Sequence, residues 1–301
     1  MMRLLLKVGA VLLASLVAAH LVLAALLKPV PQHPFWATAT GPRVIAHRGG
    51  RGLWPESTLY AFRKAADLGA DVLEMDIRQT ADGVLVVLHD ETVDRTTDGS
   101  GPVAALTLSR LQQLDAGYRW SPDGGRTHPH RGQGLTVPSL REVFSAVPAT
   151  RMNLEIKTRD STLSKPLCEL IREHRMEQRV VVASFGQEAM DAFRAACPGV
   201  ATAATADEAR RFFQLTALFL DPLFEPRAEA LQVPERLGNL DVVTPKFVRA
   251  ARRLNLKIDV WIVNDPEDMK RLIALPVDGI MTDYPDRMLA LIGTARRARG
   301  D

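Results

Sequence analysis

Cysteine is scarce in this chain of 301 residues. Only Cys168 and Cys197 occur, which is too few for a disulfide framework or for a cysteine-rich zinc site. Both lie in predicted helical stretches, where a small buried hydrophobic residue is the expected role. The alternative is a disulfide, which would require this part of the chain to lie on the extracytoplasmic side of a membrane. The chain also lacks the P-loop and the dinucleotide-binding fingerprint. The two common classes of nucleotide-binding protein that depend on these motifs are therefore excluded.

A strong excess of charge is also missing. Arg3, Lys7 and Lys28 are three of 38 basic residues, and all 35 acidic residues follow Lys28, so the rest of the chain is close to neutral. A nucleic-acid-binding protein is expected to carry a basic stripe or a recognised module. The composition therefore predicts no nucleic-acid partner.

Charge is absent altogether from residues 8–27. Twenty residues suffice for a transmembrane helix, whereas the apolar core of a cleaved signal peptide is usually shorter. Residues 1–28 are therefore predicted to be a membrane anchor, with a cleaved signal as the alternative. Because Arg3 and Lys7 precede the span, the N-terminus is expected in the cytoplasm and the following domain on the extracytoplasmic side.

Residues 29–42 contain four prolines and are predicted to form an extended linker. Phe35 and Trp36 lie within it. Two positions are open for these aromatic side chains: the membrane interface, or packing beneath the domain that follows. That domain is predicted to comprise residues 43–301.

Two short apolar runs in this domain each end in a histidine, His47 and His89. Between them lies VLEMDIR, whose period-two alternation places Glu74 and Asp76 on one face of a strand. Two carboxylates at this spacing repel each other unless a cation lies between them. The pattern indicates a metal site, and a solvated strand face is the alternative.

Strands and helices alternate along residues 43–301, which predicts a parallel sheet and, at this length, a TIM (β/α)8 barrel. Helices are predicted over 57–68, 163–175, 187–196 and 266–274. Nine strand candidates compete for eight places, and the run 200–204 is the one we expect to be incomplete. Residues 91–140 are predicted to be a small insertion after an early strand, with a short helix at 106–114, that covers the active site.

Two other segments are given structural interpretations. His128 and His130 are interpreted as surface residues of the insertion rather than metal ligands, because ligand spacing alone is weak evidence. The apolar run 211–224 is predicted to be a buried barrel helix, with a lipid-facing entry as the alternative.

Several linked motifs resemble the signature of the glycerophosphodiester phosphodiesterase family. They are His47-Arg48-Gly49, Pro55-Glu56, Glu74-x-Asp76, His89-Asp90, LEIK at 154–157, VWIVN at 260–264 and GIMTDYP at 279–285. The resemblance covers nearly everything after Arg43. One departure is that the family usually reads Pro-Glu-Asn-Thr where this chain has Ser57. Ser57 is still expected to be able to cap the following helix, and Thr58 is the alternative cap.

A second strand adds Glu155 and Lys157, again on one face. Three carboxylates without cysteine favour a hard cation, Ca²⁺ or Mg²⁺ with Mn²⁺ as a further possibility. The resemblance implies the same three ligands, Glu74, Asp76 and Glu155. Arg48 and Lys157 are predicted to bind the phosphate, and Glu56 to join either the metal ligands or their hydrogen-bond network. A structural salt bridge is the alternative for Glu155 and Lys157.

The resemblance further implies that His47 and His89 are the general acid and base, in an order that the sequence leaves open. It also implies that Trp261 stacks on the alcohol part of the substrate, with core packing as the alternative. The predicted function is metal-dependent hydrolysis of glycerophosphodiesters to glycerol 3-phosphate and an alcohol. The alternatives are a lysophospholipase D acting on membrane lysophospholipids and a non-catalytic phosphodiester-binding protein.

Overall fold

A ring of parallel strands forms the centre of the computed structural model, which describes residues 28–37 and 41–299, with side chains to residue 293, and five isolated positions before residue 28. In chain order the strands are β1 (Arg43–Ala46), β2 (Val72–Gln79), β3 (Leu85–Val87), β4 (Arg151–Ile156), β5 (Val180–Ala183), β6 (Ala201–Thr202), β7 (Ala230–Pro234), β8 (Arg236–Leu237), β9 (Leu240–Asp241), β10 (Lys257–Trp261) and β11 (Gly279–Thr282).

Eight of these strands run parallel in the order β6-β5-β4-β2-β1-β11-β10-β7. A single parallel bridge between Ala203 and Ala230 links the two ends of the sheet. The result is a nearly closed barrel of the TIM type, which agrees with the predicted fold. The carboxyl ends of all eight strands meet at one face, where TIM-barrel active sites lie.

The helices pack around this ring. They are α1 (Leu59–Leu68), α2 (Leu108–Leu111), α3 (Leu140–Ala146), α4 (Ser164–Glu173), α5 (Gln187–Ala196), α6 (Ala206–Ala217), α7 (Pro245–Arg253), α8 (Pro266–Ala274) and α9 (Pro285–Arg299). The predictions for α4, α5 and α8 are confirmed to within two residues. Their apolar faces pack against the outside of the strands in the main hydrophobic core.

Strand membership differs from the prediction at three places. The run VLVVLH forms β3, which pairs antiparallel with β2 and is not one of the eight parallel strands. The run 200–204 does supply a barrel strand, β6, although only two of its residues pair regularly. The run LDVVT instead contributes only β9, which pairs with β8 in a side hairpin, and the eighth barrel strand is β7. The pattern of β7 is hard to recognise because the segment is short and ends at Pro234.

The first helix begins one residue later than Ser57. Thr58 is its N-cap and accepts a hydrogen bond from the Ala61 N–H, while Gly69 ends it in the left-handed conformation. Ser57 has φ 57° and its buried hydroxyl has no hydrogen-bond partner. Of the two caps considered, the structure therefore has Thr58 and not Ser57. Asn adopts positive φ more readily than Ser, which gives a physical reason for the amide usual at this position.

The proline-rich stretch packs under the barrel. Phe35 and Trp36 are buried in a short 3-10 turn, in one cluster with residues such as Val72 and Ala230 at the amino ends of the strands. The guanidinium of Arg43 lies 5.3 Å from the centre of the Phe35 ring. Of the two positions considered for these aromatic residues, the structure has the one beneath the barrel.

The insertion has its own small core, built from Val93, Val103, Leu111 and their neighbours. Its helix, α2, is shorter than predicted. His128 is partly buried against the carbonyl of Trp120, and His130 packs between the rings of Tyr60 and Trp120. Among the described residues, neither histidine belongs to a group that could hold a metal.

Cys168 on α4 and Cys197 at the end of α5 form a disulfide, with Cα atoms 5.5 Å apart. Both are buried as expected, but they are bonded rather than free. Closing a loop of this length in the unfolded chain stabilises the fold by about 3–4 kcal/mol in the chain-entropy model.

No helix of the described residues is both long and apolar enough to cross a membrane. The predicted span, residues 8–27, lies almost entirely outside the described part of the chain.

A polar network crosses the barrel interior. Asn153 donates to the side chain of Gln232, and Gln232 donates to Asp259. Burial raises the pKa of Asp259 to about 6, and the charge of Arg43 opposes that rise. Asp259 is 2% exposed, so its ionised form is costly in the folded state.

We therefore expect Asp259 to make folding stability depend on pH. Between pH 4 and 7 the folded protein binds this proton more tightly than the unfolded chain does, so the free energy of unfolding falls as pH rises, by roughly 3 kcal/mol. Denaturant unfolding across this range should show the fall in the wild type and lose it in Asp259→Asn. Parallel curves for the two proteins would contradict the assignment.

Candidate active site

Three carboxylates lie close together at the carboxyl ends of β2 and β4. Glu74 and Asp76 project from the same face of β2, and Glu155 on β4 is the direct neighbour of Asp76 in the strand register. One oxygen from each of the three lies within 4.8 Å of the others. Asp76 and Glu74 are 1% and 2% exposed, so this negative charge is largely removed from water.

The electrostatics of this group favour the binding of a cation. Burial raises the pKa of Glu74 well above its usual value, and the charges of Asp76 and Glu155 add to the effect. Burial also raises the pKa of Glu155. The Oδ2 atom of Asp76 is buried without a hydrogen-bond partner. Three oxygen donors in this state fit a hard divalent cation.

Two basic side chains lie against the carboxylates. Lys157 Nζ is 2.9 Å from Glu155 Oε1 and 3.2 Å from Asp76 Oδ1. Arg48 Nε is 3.4 Å from Asp76 Oδ2, and its backbone N–H donates to Glu74 Oε2 at 2.8 Å. Arg48 has φ 50°, in the left-handed region that non-glycine residues rarely occupy. Arg48 and Lys157 carry positive charge to the edge of the acidic group.

His47 follows β1 directly and is 4% exposed. Its Nδ1 lies 2.6 Å from Asp283 Oδ1, and its Nε2 lies 3.9 Å from Glu74 Oε2. Burial lowers the pKa of His47, although the hydrogen bond to Asp283 opposes this. Because a carboxylate only accepts, Nδ1 carries the hydrogen and Nε2 is left to exchange protons.

His89 follows β3 and is more open than His47, with one third of its side chain exposed. Its Nδ1 lies 2.6 Å from Asp90 Oδ1. The guanidinium of Arg78 donates twice to the His89 carbonyl, which fixes the backbone. Burial lowers the pKa of His89, while Asp90 opposes the shift. Both histidines therefore have the same pairing of Nδ1 with a carboxylate.

A single cavity of about 400 Å³ brings the predicted site residues together. All eight line it: His47, Arg48, Glu74, Asp76, His89, Glu155, Lys157 and Trp261. Trp261 lies on the side away from the carboxylates, with its ring centre 6.2 Å from that of Phe185 in an edge-to-face arrangement. Beyond Trp261 the cavity wall is mainly apolar and includes Phe213, Val233 and Ile262.

Sequence reasoning missed the residues that hold the histidines. Asp283 follows β11, within the GIMTDYP motif, and also accepts from Arg51 and from the Asn264 side chain. Burial alone would raise the pKa of Asp283, but the hydrogen bond to His47 holds it at about 2. Asn264, the last residue of the VWIVN motif, thus helps to hold Asp283 in place. The feature of the sequence that could have identified Asp283 is its position at the end of a predicted strand.

Asp90 is the corresponding partner of His89. Arg95, in the insertion, pairs with both Asp90 and Glu56, and Glu56 in turn accepts from Arg48. Burial would raise the pKa of Glu56, but Arg95 and Arg48 hold it at about 2. Glu56 thus belongs to the hydrogen-bond network rather than to the acidic group itself. The insertion reaches the site through this ion-pair chain.

Comparison with known proteins gives consistent matches. A family model described as the glycerophosphoryl diester phosphodiesterase family matches residues 47–287. A glycerophosphodiester phosphodiesterase of Caldanaerobacter subterraneus is 33% identical over 259 residues, which cover 83% of this chain and 97% of the relative. A lysophospholipase D of Mus musculus is 26% identical, covering 82% of this chain and 84% of the relative.

The fold is also similar to that of a solved phosphodiesterase structure. This structure is a phosphodiesterase of Oleispira antarctica in complex with the product sn-glycerol-3-phosphate. Its sequence is 25% identical, with a TM-score of 0.66, over 84% of this chain and 97% of that one.

Proposed function

This chain belongs to the glycerophosphoryl diester phosphodiesterase family and is a phosphoric diester hydrolase; we propose that it uses His47 and His89 to hydrolyse glycerophosphodiesters to glycerol 3-phosphate and an alcohol. The observation that carries this proposal is the pairing of each Nδ1 with a carboxylate at 2.6 Å, in two histidines that line the same cavity as the three carboxylates. Homologues named for enzymatic activity weigh against a non-catalytic binding protein.

The two histidines would divide proton transfer between them. One Nε2 removes a proton from the attacking hydroxyl and the other delivers a proton to the leaving alcohol. Asp283 and Asp90 hold the rings in the required tautomer and stabilise each imidazolium when it forms. The geometry is compatible with either order of the two histidines.

The family is metal-dependent, and Glu74, Asp76 and Glu155 are the residues we propose as ligands of Ca²⁺, Mg²⁺ or Mn²⁺. Bound there, the cation would neutralise charge on the non-bridging phosphate oxygens. Arg48 and Lys157 would hold the phosphate from the same side, since their cationic groups border the acidic group at 3.4 Å or less. Trp261 would contact the alcohol portion.

A lysophospholipid is the second candidate substrate. The cavity wall beyond Trp261 is apolar, and Phe185, Leu237 and Ile262 on that side are 51%, 61% and 38% exposed. An acyl chain would remove such surface from water. The lysophospholipase D name of the mouse relative supports this alternative.

One experiment separates these possibilities. The purified chain would be stripped with a chelator and supplied separately with Ca²⁺, Mg²⁺ or Mn²⁺. Glycerophosphocholine and lysophosphatidylcholine would then be offered in parallel. Metal-dependent release of glycerol 3-phosphate is the expected result. Lysophosphatidic acid as the only product would establish the second candidate, and full activity without metal would contradict the role of the three carboxylates.

We propose that the protein is held by residues 1–28 as a membrane anchor, with its catalytic domain on the extracytoplasmic side. The Cys168–Cys197 disulfide supports this location, because disulfides persist mainly in oxidising compartments. Protein extracted from cells after blocking of free thiols should run faster on a non-reducing gel than on a reducing one. Complete labelling of both thiols in the cell would contradict an extracytoplasmic domain.

A further inference from the structure

An exposed apolar patch follows α6. It consists of Leu218, Phe219, Leu220 and Leu223, which are 67%, 66%, 40% and 44% exposed. The flanking part of the same run is buried, as predicted, at Phe212 and Phe224. Four large apolar side chains exposed within six residues form a cluster rather than scattered surface residues, and such clusters mark interaction sites. None of the four lines the catalytic cavity.

The backbone places Phe219 at the end of α6. Phe219 has φ 60°, which is unfavourable for a bulky aromatic residue. No burial of its ring offsets this cost, since two thirds of the residue is exposed. The left-handed residue ends α6, where the Leu220 N–H donates to the Leu215 carbonyl, and the phenyl ring at this helix end is left in the exposed patch.

Basic side chains border the patch along one stripe of α7. Lys246 donates to the Ala217 carbonyl, and its ammonium lies 3.2 Å from the centre of the Phe219 ring. At the other end of α7, Arg253 pairs with Asp221. Arg249 is exposed and lies between them on the helix. Apolar side chains bordered by cations match a bilayer surface with anionic headgroups.

The chain enters the domain beside this surface. The Val30 N–H donates to the Leu254 carbonyl at 2.9 Å, and the Asn255 side chain donates to the Val30 carbonyl at 2.7 Å. Leu254 directly follows Arg253, at the end of the basic stripe. The membrane span predicted from the sequence ends at residue 27, three residues before Val30.

We propose that the patch docks on the anionic phospholipid bilayer, holding the outer wall of the barrel formed by α6 and α7 against the membrane. The occupant follows from three features that coincide: exposed apolar side chains, a bordering basic stripe, and the attachment of Val30 beside both. This contact adds to the predicted anchor and fixes how the domain lies on the surface. It does not depend on the catalytic proposal.

An environment-sensitive fluorophore tests this contact. The full chain carrying Leu218→Cys would be labelled and reconstituted in vesicles of phosphatidylcholine with phosphatidylglycerol. The native cysteines are disulfide-bonded and would not react. We expect the emission of the label to be shifted to the blue when vesicles are present. Brominated lipids should quench most of this fluorescence. The control is Ser145→Cys on α3, which packs near α1 on the other side of the barrel and should show neither change.

Two further measurements test the contribution of charge and the possibility of oligomerisation. Arg249→Glu in the labelled Leu218→Cys chain should reduce the emission shift, because one basic residue near an anionic surface contributes about fivefold to binding. Thermal unfolding at the wild-type Tm would show that each variant is folded. Equal emission at positions 218 and 145 would overturn the proposal. So would a shift at 218 in detergent that rises with protein concentration, since a second copy would then cover the patch.

Discussion

His47→Ala is expected to lower kcat for glycerophosphodiester hydrolysis by roughly 10²–10⁴-fold, because general acid–base groups contribute on this scale. His47 lies at the bottom of the cavity, with Nδ1 bonded to Asp283 and Nε2 near Glu74. Alanine leaves no group there that can exchange a proton. His89→Ala should produce a loss of similar size, since its ring has the same pairing with Asp90. The measurement is steady-state kinetics at saturating metal.

His128→Ala is the matched control. The Nδ1 of this histidine also has a hydrogen-bond partner, the Trp120 carbonyl, but the residue lies in the insertion. It should retain kcat within a factor of about two, since surface substitutions away from special features usually have small effects. Thermal unfolding would show whether His47→Ala and His89→Ala remain folded. A folded His47→Ala protein with wild-type kcat would remove His47 from the chemistry.

The proposed site residues were predictable because most of them lie on a strand or just after one. A run such as VLEMDIR shows its charged face in its own alternation, and the carboxyl ends of parallel strands meet at one face of a barrel. Glu74, Asp76 and Glu155 could therefore be grouped before any distance was known. The linked motifs added the family and hence the roles expected of His47 and His89.

The partners of the histidines were not predictable in the same way. His47 and Asp283 are 236 residues apart and meet only because β1 pairs with β11 as the barrel closes. Local periodicity carries no information about that closure. Asp90 is adjacent to His89 in the chain, yet neighbours on an irregular segment have no fixed relative direction, so the contact needed the structure.

The shortest barrel strands were the hardest to assign from the sequence. β6 pairs over two residues and β7 ends at Pro234, so neither presents a long alternating run. Their places are fixed by neighbours, because β5 and β10 supply the pairing that propensity alone does not. Likewise, hydrophobicity predicted a buried helix across 211–224. The chain leaves α6 at Ala217, and the residues after it turn outward.

Glu74→Gln is expected to have opposite effects on metal binding and on the stability of the metal-free protein. Glutamine keeps an oxygen that can accept from the Arg48 N–H, but removes one charge from the three carboxylates. Without metal, the variant should be more stable than the wild type by about 1–2 kcal/mol, because a buried charge repelled by Asp76 and Glu155 is gone. Thermal unfolding in chelator should show a rise in Tm of about 2–4 °C per kcal/mol.

When metal is bound, the wild type should become more stable than Glu74→Gln. The wild type gains stability from a cation that binds only the folded state, whereas Glu74→Gln should need at least about tenfold more metal for the same shift in Tm and should lose most of its kcat. Glu91→Gln removes the same charge from an exposed position near the site and should leave both curves unchanged. If Glu74→Gln instead destabilised the metal-free protein and kept the wild-type response to metal, the carboxylates would be a structural ion-pair cluster with Arg48 and Lys157. The difference between the two responses therefore distinguishes a metal site from buried salt bridges, because only a metal site leaves repulsion unbalanced in the metal-free state.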